Sequence, residues 1–250
     1  MLHHVRYGAS RADAPPLLIA HGLFGSARNW GAIAKRLART REVVVVDMRN
    51  HGASFHDPVH DYPAMAADLA EVMDGRPHDV LGHSMGGKAA MVLALTRPDA
   101  VRRLIVADIA PVRYAHTQAP LIEAMQAVDL SGVTRRSEAA AQLGDVPDDG
   151  TRAFLLQSLD VEGGRWTLNL DALRANMDAI MGFPDVSGRF DGPTLFLTGG
   201  RSDYLREAHH DRIRRAFPDA TMQVIEGAGH WLHAEKPQEF VAAVASFLDG

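Results

Sequence analysis

Cysteine is missing altogether from the 250 residues, which excludes disulfides, thiolate-held zinc, iron–sulfur clusters and a thiol nucleophile. Any nucleophile must therefore be oxygen or nitrogen. Charge of one sign is scarce too: 26 Lys+Arg against 31 Asp+Glu leave a net charge of −5 and no basic run, so nucleic acid is not an expected partner. Long apolar runs are also lacking. The longest, 89–95 and 241–248, fall well short of the ~18 residues that a bilayer span requires. The first seven residues, Met-Leu-His-His-Val-Arg-Tyr, have neither the basic stretch nor the apolar core of a secretory signal. The expectation is a cytoplasmic protein without a membrane span.

What remains is ordinary for a globular chain, with 46% apolar and 23% charged residues. Short β-branched runs at 17–20, 43–47, 79–81, 104–108, 194–198 and 222–225 read as strands buried on both faces. Between them lie amphipathic stretches at 27–39, 62–73, 85–96, 205–217 and 237–248 that read as helices. Strand followed by helix, repeated, predicts the α/β class: a mostly parallel central sheet with helices on both faces. One region departs from this alternation. From 112 to 184 the sequence offers helical segments at 121–128, 137–143, 151–159 and 170–181, breaks at 144–150 and at Gly163-Gly164, and no convincing buried strand. The expected division is a core of residues 1–111 and 187–250 with a helical cap, 112–186, inserted above the carboxyl ends of the strands.

The most specific chemical signal is Gly82-His83-Ser84-Met85-Gly86, set between a strand and a helix. This is the GxSxG pattern of a nucleophile elbow: a strained turn lifts the serine hydroxyl clear of the sheet, and glycines two residues away let the backbones pass. A hydroxyl is a weak nucleophile at neutral pH, so the pattern predicts a downstream histidine as base and a carboxylate to orient it. His230 fits, in Gly227-Ala228-Gly229-His230-Trp231 past the last strand. Its neighbour His233 lies nearer the next helix start and reads as a surface or supporting residue. Asp108 and Asp203 both follow sheet strands and both qualify as the acid; Asp171, at a helix start, is a weaker third. The oxyanion donors are expected to be the N–H groups of Met85 and Leu23, the latter in His21-Gly22-Leu23-Phe24-Gly25 after the first buried strand. Phe24, Trp30 and Trp231 are the expected lining of the substrate pocket. His51, His56 and His60 share an acidic loop, but their spacing is poor for a metal, and no metal site is expected.

These motifs, with Asp47-Met48-Arg49-Asn50-His51-Gly52-Ala53-Ser54, Gly87-Lys88 after the elbow and Asp108-Ile109-Ala110-Pro111-Val112, together resemble an α/β-hydrolase. The resemblance is strongest to the small YbfF-like bacterial esterases and their mitochondrial abhydrolase relatives, and it runs from the first strand to the last helix. It implies the α/β-hydrolase fold, hydrolysis of small-molecule acyl esters or thioesters of short to medium chain, and no cofactor. In YbfF-like esterases the aspartate matching Asp108 acts in the triad, while the position matching Asp203 is commonly not acidic. This chain carries both, and Asp108 is the favoured assignment.

Two alternatives stand beside this reading. A cofactor-free haloperoxidase or perhydrolase would share the same triad, and a ligand-binding receptor would keep the shell without needing Ser84, His230 and the oxyanion donors. Epoxide hydrolases and haloalkane dehalogenases place aspartate at the elbow, where Ser84 stands here. A dinucleotide-dependent oxidoreductase lacks its fingerprint, because no GxGxxG follows the first strand.

Overall fold

In the computed structural model, which describes residues 1–144 and 146–250, the chain runs through five strands, β1 (His4–Tyr7), β2 (Leu17–Ala20), β3 (Val43–Val46), β4 (His78–His83) and β5 (Val101–Ala107). A detached pair follows, β6 (Leu159–Asp160) with β7 (Arg165–Trp166), and then β8 (Thr194–Gly199) and β9 (Ala220–Ile225). Seven of these form one sheet in the order β1-β3-β2-β4-β5-β8-β9, parallel except for β1. The strand order reverses direction between β2 and β4, and a crevice opens there at the carboxyl ends of the strands.

Alternation within the strands divides the core between two helical layers. Leu17, Ile19, Val43, Val45, Leu81 and Ile105 face the side covered by α1 (Gly31–Leu37), whereas Leu18, Ala20, Val44, Val46, Val80 and Leu104 face α2 (Tyr62–Met73) and α3 (Met85–Thr96). The insertion between β5 and β8 contributes α4 (Ala119–Gln126), α5 (Arg136–Gln142), α6 (Asp149–Leu155), α7 (Leu170–Ala175) and α8 (Met177–Met181). Its apolar side chains, Ile122, Met125, Leu155 and Leu173 among them, belong to the same buried cluster as the α2–α3 layer. Helices α9 (His210–Ala216), α10 (Leu232–Glu235) and α11 (Pro237–Asp249) complete the chain. Along α11, Phe240, Val244 and Leu248 recur at helical spacing and are buried on the α1 side of the sheet, each such side chain contributing about 1.5–3 kcal/mol. No helix among the described residues is long and apolar enough to cross a membrane.

Several expected elements differ in extent or surroundings. The helix expected over 27–39 begins as a tight 3-10 turn, Ala27–Trp30, because the Asp47 carboxylate accepts the Ala27 N–H (2.7 Å) and Asn29 closes a capping box with Ser26. The stretch 205–217 is helical only from 207, in a 3-10 turn that leads into α9; Leu205 is apolar because it packs in the core, not because it lies on a helix face. The helix expected over 170–181 is divided at Asn176, whose amide donates to the carbonyls of Ala172 and Pro58 (both 2.8 Å). The region read as offering no convincing buried strand holds the short β6–β7 pair, which is only partly buried, and the break expected at 144–150 includes Asp145, outside the described residues. Strand β9 is not buried on both faces: it is an edge strand, with Val224 49% exposed.

Candidate active site

The turn from β4 into α3 carries Ser84 at φ +52°, ψ −118°, a backbone state that costs a non-glycine residue on the order of 1–3 kcal/mol. The glycines around it are required sterically. A Cβ on Gly82 would run into the carbonyl of Gly86, and one on Gly86 would run into the carbonyls of Ala20 and His21. The serine therefore sits where β4, α3 and the end of β2 approach as closely as backbones can. Its N–H is held by the Ala107 carbonyl (3.0 Å), at the end of β5.

His230 and Asp108 reach the same point from other strand ends. His230 Nε2 lies 3.1 Å from Ser84 Oγ, and His230 Nδ1 lies 2.6 Å from Asp108 Oδ2. A carboxylate only accepts, so Nδ1 donates to it and Nε2 is left to accept the Ser84 hydroxyl. The Asp108 carboxylate is fully buried and saturated: Thr198 Oγ1 (2.9 Å) and the Gly199 N–H (3.1 Å) donate to Oδ1, and the Ser202 hydroxyl donates to Oδ2. Asp108 also lies at φ +53°, a second strained backbone beside the first. The alternative acid Asp203 is exposed, with its carboxylate 3.3 Å from Arg206. Asp171 is exposed and accepts from Gln126 (2.7 Å). His230 is flanked on one face by Tyr204, stacked at 3.9 Å and 20°, and His83 Nε2 donates to the His230 carbonyl (2.8 Å).

The loop after β2 supplies the facing wall. A turn closes from the Gly25 N–H to the Gly22 carbonyl (3.0 Å), with Phe24 at φ +63° in the position that ordinarily favours glycine. A side chain held in the left-handed region costs about 1–2 kcal/mol, so its surroundings must enforce it. Among the described residues, neither the Leu23 N–H nor the Met85 N–H has a hydrogen-bond partner, and both residues line the cavity at Ser84.

Sequence spacing assigns His51 and His60 no role, yet His21, His51, His60 and His83 are all buried; His233, read as a surface or supporting residue, is buried as well, which excludes the surface reading. Burial pushes His60 and His233 down to about 3, and His51 and His83 well below their ordinary value. The His233 ring stacks on Trp30 at 4.2 Å. The Asp47–Ser54 motif is a frame for this region. Asp47 accepts the N–H groups of Ala27 and Ala53, and Arg49 pairs with both oxygens of Asp68 (2.5 and 2.8 Å).

The cavity at Ser84 measures about 110 Å³. Phe24, Trp30 and Trp231 all line it, as do Leu121, Phe154 and Ile180 of the insertion and its helices. Lys88, one turn into α3, is buried and donates to the carbonyls of Met181 (3.0 Å) and Gly182 (2.5 Å) at the end of α8. Its ammonium lies 4.8 Å from the Tyr114 ring, and burial pushes it down to about 7. Nothing in the sequence beyond its place after the elbow marks Lys88 as the tie between α3 and the insertion.

A serine hydroxyl, an imidazole and a buried carboxylate in hydrogen-bonded order at a strained strand–helix turn define the α/β-hydrolase class of serine hydrolases. Residues 17–244 match the alpha/beta hydrolase family, and the chain belongs to it. It is 46% identical over 253 residues to the sn-1-specific diacylglycerol lipase ABHD11 of Mus musculus, covering 95% of this chain and 82% of that protein. It is also 40% identical over 239 residues to the esterase YbfF of Escherichia coli, covering 94% and 93% of the two chains. Among solved structures, a marine microorganism esterase superposes with a TM-score of 0.92 at 38% identity, covering 98% of each chain. With esterases and a lipase as relatives along nearly its whole length, the chain is a serine hydrolase of the carboxylesterase kind.

Proposed function

We propose that this enzyme hydrolyses acyl esters of short to medium chain, and thioesters of the same acyl groups, by two-step acyl transfer at Ser84. The observation that carries the reading is the 3.1 Å contact of Ser84 Oγ with His230 Nε2, in a ring whose other nitrogen is engaged by Asp108 at 2.6 Å. Ser84 Oγ attacks the acyl carbon as His230 Nε2 takes its proton, and the Asp108 carboxylate steadies the imidazolium that results. The N–H groups of Leu23 and Met85 receive the oxyanion. Collapse of the tetrahedral intermediate breaks the bond to the alcohol or thiol, which leaves with the proton from His230. Water then loses a proton to the same nitrogen, attacks the acyl-enzyme, and releases the acid and Ser84.

The insertion of residues 112–186 serves as a cap in this scheme, closing an apolar space over the serine. At about 110 Å³ that space is smaller than the ~150 Å³ cavity that accommodates benzene, which suits a short acyl group. A profile over p-nitrophenyl esters from acetate to dodecanoate, with the matching acyl-CoA thioesters, tests the reading. The expected kcat/KM peaks among the shorter chains and falls by about tenfold or more at dodecanoate, since a misfitted methylene in a closed apolar pocket costs ~1–3 kcal/mol. A fluorophosphonate should label Ser84 in step with loss of activity. No turnover of any ester in the series would leave the receptor-like alternative standing in its place.

A further inference from the structure

His21, from the loop after β2, and His51 and His60, from the connection between β3 and α2, meet in the interior; among the described residues none of them hydrogen-bonds to Ser84, Asp108 or His230. Their protons are assigned by their partners. His51 Nδ1 faces the Arg49 carbonyl at 2.8 Å, which can only accept, so Nδ1 carries the proton and Nε2 presents a lone pair. That lone pair accepts the Phe24 N–H at 3.2 Å. His21 repeats the arrangement in reverse direction: its Nδ1 donates to the Gly22 carbonyl (2.8 Å), and its Nε2 accepts the Met48 N–H (3.0 Å). The two rings thus brace the loop at 21–25 against the loop at 48–51, with their centroids 5.1 Å apart. On the other side, His60 packs 5.6 Å from His51 and approaches Met85 Sδ at 3.3 Å.

The turn at 22–25 needs such bracing, because Phe24 holds φ +63° without being glycine. Its N–H is taken by His51 and the Gly25 N–H by the Gly22 carbonyl, while the Leu23 N–H, which borders the cavity at Ser84, has no partner among the described residues. We infer that His51 is a positioning residue for the reaction: by accepting the Phe24 N–H it holds the turn in the form that keeps the Leu23 N–H open to the oxyanion. The inference rests on the assignment of Ser84 and the Leu23 and Met85 donors above. Burial keeps the His51 ring neutral at ordinary pH and so preserves its acceptor nitrogen.

Two substitutions of similar size separate this role from mere packing. In His51→Gln the amide oxygen reaches the place of Nε2 and can accept the Phe24 N–H. In His51→Asn the amide reaches only the place of Nδ1, so it keeps the bond to Arg49 and loses the one to Phe24. The expected kcat for p-nitrophenyl butyrate stays within about threefold of wild type in His51→Gln and falls about a hundredfold in His51→Asn with KM nearly unchanged, the size of effect seen when an oxyanion donor is lost. Affinity for a trifluoromethyl ketone, whose adduct with a serine carries the oxyanion, should fall with kcat in His51→Asn only. Equal kcat in the two variants, or a loss confined to KM, would overturn the inference. Should a variant fail to fold, nitrogen NMR of the imidazoles in the wild-type enzyme decides: Nδ1 protonated and Nε2 bare on His51 supports the role, and the opposite tautomer sinks it. An active wild type that Ser84→Ala silences, with His51→Asn as active as His51→Gln, would remove this inference and leave the proposed function intact. A wild type inactive on every ester would remove the function first.

Discussion

Asp108→Asn lowers kcat on a p-nitrophenyl ester by about 10⁴-fold, while Asp203→Asn leaves it within about twofold. The cause is the tautomer of His230. An amide NH2 facing Nδ1 forces that nitrogen to accept, moves the ring proton to Nε2, and leaves no lone pair for the Ser84 hydroxyl. Asparagine is nearly isosteric with aspartate, and its carbonyl oxygen can still take the Thr198 hydroxyl and the Gly199 N–H, so the fold is retained while the base is lost. Asp203 has no such partners among the described residues; its carboxylate is exposed beside Arg206, where removal of a surface pair is worth little. Ser84→Ala should be at least as damaging as Asp108→Asn. The measurement is kcat with circular dichroism and the thermal midpoint as controls for folding. If Asp203→Asn is the damaging variant and Asp108→Asn is not, the acid has been assigned to the wrong strand end.

Stability should fall steeply on mild acidification, below pH 6.5 and well above the range in which carboxylates titrate. His60 and His233 are pushed from 6.5 down to about 3 by burial, and His51 and His83 are pushed down as well. Each is neutral in the fold and titrates near 6.5 once unfolded, so between 6.5 and the folded value the unfolded chain binds more protons than the native one. The stabilisation is complete above the unfolded value and is lost as pH falls towards the folded value. At pH 5, about 1.5 units into that window, His60 and His233 would each remove about 2 kcal/mol, and 4 kcal/mol is a large part of a typical 5–15 kcal/mol. Urea titrations at pH 7.5 and pH 5 read this directly; equal unfolding free energies at the two would contradict it. His233→Phe should reduce the slope, because the phenyl ring can keep the stack on Trp30 and removes His233 Nδ1, a buried nitrogen without a hydrogen-bond partner among the described residues.

The parts of the fold that were legible in the sequence are those in which local pattern and tertiary role coincide. Four successive valines at 43–46 can hardly do other than form a strand buried on both faces, and Pro237 followed by Phe240, Val244 and Leu248 marks both the start and the inward face of α11. Legibility failed where burial is conferred by neighbours. β9 has an apolar composition much like that of the inner strands, but its place at the edge comes from which strand pairs with β8, and that leaves Val224 in solvent. Leu205 looked helical because an apolar residue in a loop and one on a helix are alike in sequence.

The site divides in the same way. Gly82, Ser84 and Gly86 declare themselves because the steric demands of the turn act within five residues, and His230 follows from the order of motifs along the chain. The sequence by itself thus determined the class of sheet, the serine at the strand–helix turn and the small set of candidate partners for it. Only the tertiary structure decided which carboxylate faces His230, since Asp108 and Asp203 both follow strands and differ only in which way the chain turns afterwards. It alone also brought His21, His51 and His60 under one loop. Side chains 30 and 9 positions apart share no local period, and their common surroundings exist only once β2, β3 and α3 have packed.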